Sequence, residues 1–132
     1  MARLSGVPRR IAAPAREVVA PVERLSARDR GYTARWDRLS ANYRATLPVC
    51  LGCRAMGLIG RTAVTDHVVP HRGDASLMWD PANWQPACAW HHDDVKQRLE
   101  AMYDAGQLGP DDLRLDSATA VALARTLLAT RD

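Results

Sequence analysis

Residues 49–97 read VCLGCRAMGLIGRTAVTDHVVPHRGDASLMWDPANWQPACAWHHDDVKQ, and every cysteine and histidine of the chain lies within them. Cys50-x2-Cys53 and Cys88-x2-His91 are two pairs of equal spacing with 34 residues between them, a Cys3His donor set. Zn2+ favours a tetrahedral shell of thiolate and imidazole, and each x2 pair closes around one ion with little strain. Three cysteines cannot all pair in disulfides. Without a signal-peptide pattern the expected compartment is reducing, where paired thiols hold metal. The alternative is a Cys50/Cys53 redox pair with Cys88 as a small buried hydrophobe. It fits less well, because redox pairs open a helix in a thioredoxin-like βαβ setting, whereas this pair follows a predicted helix and precedes a predicted strand.

A second constellation comprises Asp66-His67, Asn83 and His92. His91 and His92 are consecutive, so on a helix their side chains diverge by ~100° and do not serve one ion. One goes to zinc, and the spacing favours His91. The other faces a second site, where Asp66 offers a hard carboxylate oxygen and His67 an imidazole that titrates near neutral pH. Aspartate and histidine on a divalent ion, with a second histidine as base, are enough to hydrolyse a phosphodiester. The plainer reading of any one histidine is a satisfied core or surface residue.

Outward from this stretch, residues 30–46 place Trp36, Leu39 and Tyr43 at i, i+3 and i+7, the apolar stripe of a helix that stops before Pro48. Residues 58–69 are β-branched and predict strand, with a hairpin turn near Gly60. Pro70 to Gln85 is punctuated by Pro, Gly, Asp and Asn and reads as loop. A helix follows from Cys88 to about Asp104, stopped by Gly106. Asp116 or Ser117 caps a last helix whose Val121, Leu123, Leu127 and Leu128 need a surface to cover.

A chain of 132 residues is one small domain, and this one has no Phe among its aromatics. So thin a core needs a staple such as a metal site. Charge is uneven: residues 1–62 carry twelve Arg against four acids, and residues 63–132 carry six basic against eleven acidic residues. The basic half suits a polyanion, through phosphate contacts that carry no sequence preference. Residues 1–27 read as a basic, disordered arm, since Pro8, Pro14 and Pro21 break any helix there. No apolar run approaches the ~18 residues of a membrane span, and the expected location is cytoplasmic, with no membrane partner.

The stretch quoted above resembles the HNH endonucleases of bacteriophages and prophages. That family joins a Cys-x2-Cys zinc frame to a ββα-metal core, and its pattern stands here as Asp66-His67, Pro70-His71-Arg72-Gly73-Asp74, Asn83-Trp84-Gln85 and Cys88-x2-His91-His92, with Lys96 four residues on. Upstream, Gly31-Tyr32-x3-Trp36-x2-Leu39 matches the family's lead-in helix, so the resemblance covers about residues 30–100. It departs at His91, where the family has a fourth Cys; imidazole can replace thiolate at zinc.

The resemblance implies an α+β single domain: a ββα-metal (HNH, or His-Me finger) core with a structural zinc, flanked by an N-terminal and a C-terminal helix. It places the nuclease domain at residues 28–106, after the arm, and a helical extension at residues 107–132. By the same resemblance His67 is the general base, Asp66 and His92 hold a catalytic divalent ion, and Asn83 braces the active-site loop. Cys50, Cys53, Cys88 and His91 hold the structural Zn2+. The implied activity is metal-dependent cleavage of double-stranded DNA with Mg2+ or Mn2+, Ni2+ also being accepted, and the implied partner is a phage terminase complex. Arg35, Arg38, Arg72 and Lys96 are the expected DNA contacts; His71 either touches the catalytic ion or ties its loop. Trp79, Trp84 and Trp90 are expected as core fillers. The alternative is a zinc-stabilised DNA-binding or packaging adaptor that has lost hydrolysis.

Overall fold

The computed structural model describes residues 27–131, so the arm expected over residues 1–27 lies, but for Ala27, outside the described residues. These fall into two units, one ending at Arg38 and the other beginning at Leu39. The second contains every candidate site residue except Arg35 and Arg38.

Helix α1 (Ala27–Thr46) ends before Pro48, where the sequence placed its stop. Its last turns belong to the second unit. There the Ser40 hydroxyl donates to Thr65 Oγ1 at 2.8 Å, and Tyr43 meets the Trp84 ring edge-on with centroids 5.4 Å apart. Helix α2 (Leu51–Ala55) is a single turn capped by Cys50.

The β-branched run behaves differently from its expectation as a hairpin about Gly60. Residues 58–63 wrap the cysteine turn instead, with Cys50 N–H donating to Gly60 O at 2.7 Å and Leu58 N–H to Cys53 O at 2.8 Å. Those backbone groups are therefore committed to the turn, and strand β1 is confined to Val64–His67. Its partner comes from the stretch read as loop. After α3 (Ala75–Met78), capped by Asp74, and a 3-10 turn over Pro81–Asn83, strand β2 (Trp84–Ala87) pairs antiparallel with β1, Asp66 opposite Gln85 and His67 opposite Trp84. A proline inside a four-residue strand masks the usual signal; a sheet that has two strands among the described residues accommodates it.

The chain then enters a π-helical turn, His91–Lys96, which runs into α4 (Gln97–Asp104) and stops at Gly106, whose φ of +77° suits glycine. A 3-10 turn (Pro110–Leu113) leads to α5 (Ala118–Ala129), capped by the Ser117 side chain on the Ala120 N–H at 3.0 Å. The core is small and aliphatic: Val68, Val95, Leu99, Leu113 and Leu115 lie between the sheet and these helices. Helix α5 buries Ala120 and Ala124 fully and packs Leu123 and Leu127 against the core as half-buried side chains, while Leu128 is left 38% exposed. The result is a small mixed α/β unit around a two-stranded antiparallel sheet. Among the described residues no helix is long and apolar enough to cross a membrane.

Candidate metal centre and the adjoining cleft

Two turns bring the four predicted zinc ligands together. Cys50 and Cys53 flank the start of α2, while Cys88 and His91 enter from the far end of β2 and the π turn. Their ligand atoms all lie within 4.8 Å of one another. His91 Nδ1 sits 3.5 Å from Cys50 Sγ, 3.5 Å from Cys53 Sγ and 3.4 Å from Cys88 Sγ, and the Cys53 and Cys88 sulfurs are 3.8 Å apart. A tetrahedral zinc with bonds of ~2.3 Å to sulfur and ~2.0 Å to nitrogen has S–N edges of ~3.5 Å and S–S edges of ~3.8 Å. The donor set fits such an ion. Backbone amides support the sulfurs: Cys53 N–H points at Cys50 Sγ (3.5 Å) and His91 N–H at Cys88 Sγ (3.3 Å).

The electrostatics agree with the geometry. Burial first, then the neighbouring sulfurs of Cys50 and Cys88, push the Cys53 thiol up to about 12, and burial also raises Cys50. Burial pushes His91 below its ordinary value, which keeps the imidazole neutral and able to ligate. Packed thiolates repel one another, so the cluster needs either protons or a cation. Cys50 does open a short helix, the position associated above with redox pairs; the convergence of Cys88 and His91 on the same point is what favours metal. Two glycines make room. A Cβ on Gly52 would lie 2.3 Å from His91 Cδ2, and one on Gly60 would lie 2.4 Å from Cys53 Sγ.

Asp66, His67 and His92 of the second constellation meet in a cleft of about 270 Å³, with His71, Arg72 and Glu100 also on its walls; Asn83 lies outside its lining. As the divergence of consecutive histidines requires, His91 turns to the cysteines and His92 to Asp66, with Nε2 3.8 Å from Oδ1. That separation exceeds a hydrogen bond yet is less than twice the ~2.1 Å bond of a small divalent ion, so both atoms can reach one cation. Among the described residues the Cys3His group is the one cluster of three or more such donors; Asp66 and His92 are a pair.

His67 Nε2 lies 3.0 Å from Met78 O. A carbonyl only accepts, so the proton is on Nε2 and Nδ1 is the basic nitrogen. Burial holds His67 below the usual imidazole value, partly offset by the Met78 bond. Asn83 braces the loop above: its Oδ1 accepts from Val69 N–H at 2.9 Å, and its Nδ2 donates to Val69 O (2.9 Å) and Leu77 O (3.1 Å). His71 ties the same loop by accepting from Gly73 N–H at 3.1 Å.

One expected DNA contact is buried, and a second is paired within the chain. Lys96 is 1% exposed and points inward, donating to His67 O (2.6 Å) and Glu100 Oε2 (2.8 Å) and pairing with Asp66 Oδ2 (3.0 Å). It is removed from the set of phosphate contacts, because an ammonium with three internal acceptors has no proton left for DNA. Arg72 remains exposed but pairs with Asp104 at 2.8 Å, not with Asp74, which caps α3. Arg35 and Arg38 are exposed on α1. Trp84 is buried as expected, whereas Trp79 and Trp90 are half-buried.

Sequence reasoning missed the supporting roles of Gln85 and Glu100. Gln85 is fully buried and donates to Asp66 Oδ2 at 2.9 Å. Its signal was present in Asn83-Trp84-Gln85, but a glutamine in an apparent loop gives no hint of a buried amide.

Fold and site together define a small mixed α/β domain with a Cys3His cluster that could hold a structural metal such as zinc. No protein-family model matches the chain, and no curated protein or solved structure matches it.

Proposed function

We propose that the chain is a metal-dependent DNA endonuclease of the HNH type, with its ββα-metal core formed by β1, β2 and the helix that starts at the π turn. One observation carries the reading: Asp66 and His67, consecutive on β1, share a cleft with His92 while Asn83 braces the loop beside it. Those are the four residues to which the resemblance gives chemical roles. Asp66 and His92 would hold a divalent cation, which when bound supplies charge stabilisation at the phosphoryl oxygens and the departing alkoxide. Mg2+ or Mn2+ comes with the resemblance, as do duplex DNA as substrate and a phage packaging complex as partner.

His67 takes the proton from the attacking water through Nδ1, since Nε2 is engaged with Met78 O. Its depressed basicity keeps it neutral at physiological pH. Asn83 ties Val69 to Leu77, the two ends of the loop beside the cleft, and the buried contacts of Asp66 fix the carboxylate that faces His92. The products are a 5′ phosphate and a 3′ hydroxyl.

The test is the fate of supercoiled plasmid with Mg2+, Mn2+ or Ni2+, beside chelator and His67→Ala controls. Nicking or linearisation that needs both the ion and His67 supports the reading. Plasmid left intact under every ion, by protein that carries zinc and binds DNA, points to the adaptor instead.

A further inference from the structure

The two oxygens of Asp66 have different surroundings. Oδ2 lies 3.0 Å from Lys96 Nζ and 2.9 Å from Gln85 Nε2. Both donors are themselves pinned. Lys96 also donates to His67 O and Glu100 Oε2, so its three protons each have an acceptor. Gln85 donates to Leu113 O at 3.1 Å and accepts from Leu115 N–H at 2.9 Å, which roots its amide in the core. Oδ1, by contrast, faces His92.

We infer that Lys96 and Gln85 form a clamp that makes Asp66 a one-oxygen ligand, and that this clamp sets the preference of the cleft for small divalent cations over Ca2+. The inference rests on the reading that Asp66 and His92 hold a divalent ion. Ca2+ gathers ~6–8 oxygens and often takes carboxylates through both, whereas Mg2+ and Mn2+ accept octahedral shells built from single carboxylate oxygens and water. For Asp66 to chelate through both oxygens, Oδ2 would have to give up an ammonium and an amide. Each would be left buried with an unmet proton. The ammonium also places a positive charge where the second carboxylate bond would form. Lys96 and Gln85 are therefore positioning residues: they touch neither DNA nor ion, and they decide how the carboxylate is presented.

The experiment titrates the zinc-loaded full chain with Mn2+ and, separately, Ca2+ by calorimetry. The parent is expected to bind Mn2+ at least about tenfold more tightly than Ca2+, and Asp66→Ala to lose the site. Lys96→Met frees Oδ2, so Ca2+ should gain more than Mn2+ and the affinity ratio should fall by about fivefold or more; Gln85→Met should move it the same way by less. A purely structural role would weaken both ions alike and leave the ratio unchanged. A parent that binds Ca2+ as tightly as Mn2+, or either folded variant with the parent's ratio, overturns the clamp. If neither variant folds, the parent's ratio and its loss in Asp66→Ala decide. Plasmid cleavage by the same preparations separates the two ideas. Cleavage with an unmoved ratio sinks the clamp alone, and a ratio that moves without any cleavage sinks the endonuclease reading alone.

Discussion

His67 and His71 stand side by side on the cleft wall, ring centroids 4.8 Å apart, yet their tautomers suit different tasks. Met78 O accepts the hydrogen bond of His67 Nε2–H, which makes Nδ1 the basic nitrogen; Gly73 N–H occupies the Nδ1 lone pair of His71 and leaves it a donor at Nε2. In the proposed mechanism the base is therefore His67 rather than His71. His67→Ala should therefore lower turnover by ~10²–10⁴-fold with DNA affinity near the parent value, whereas His71→Ala should lower it by less than about tenfold. Single-turnover cleavage and equilibrium DNA binding on both variants check this, and a deeper loss in His71→Ala would exchange the two roles. Both histidines were visible in the sequence. What separates them is a backbone carbonyl and a backbone amide, which no spacing rule reports.

At the scale of elements, the Cys3His cluster was legible because x2 spacing is a local property: Cys50 to Cys53 and Cys88 to His91 each close within one turn. The sheet was legible only by half: β1 falls within the predicted strand run, but it skips its neighbours and pairs with a four-residue strand containing Pro86. Lys96 was misread for a related reason. It stands four residues after His92, but its partner Asp66 comes from the sheet, so only the folded chain shows that this lysine is buried. Gly52 exposes the same dependence of local on long-range structure. It sits inside α2, where alanine would ordinarily stabilise a helix by ~1 kcal/mol. Here an added methyl would collide with the His91 ring, which is 1% exposed and cannot swing out. Gly52→Ala should thus weaken zinc binding and lower Tm against its helix propensity. Elemental analysis with a thermal melt reads both. Full zinc content with a raised Tm would mean that the ring has room the geometry denies it.

Over the whole molecule, stability and the proposed affinity for nucleic acid would draw on different parts of the chain. The core is aliphatic and small, and the Cys3His cluster ties α2 to the π turn across the sheet, so zinc should act as the staple that the composition calls for. Purified protein is expected to carry about one zinc per chain, and a strong chelator should abolish cooperative unfolding along with near-UV dichroism. An unchanged melt after zinc removal would sink that expectation. Affinity should follow the charge instead. Between Asp37 and Asp66 there is no acidic residue, while Arg38, Arg44, Arg54 and Arg61 fall in that interval and Arg35 just before it. If this segment supplies the phosphate contacts, binding will tolerate sequence and weaken steeply with salt, by a slope of ~0.9 per phosphate neutralised. Neutralising Arg35 and Arg38 together should flatten that slope by up to about two units across all DNA sequences. Zinc content should stay as it was, because all four ligands lie beyond Leu39. A salt series of affinities for the parent and the double variant, made in the His67→Ala background so that DNA stays intact, gives both slopes. Equal slopes would move the phosphate contacts to other arginines, with Arg98 on α4 and Arg72, once released from Asp104, as the exposed candidates beside the cleft-bearing helix.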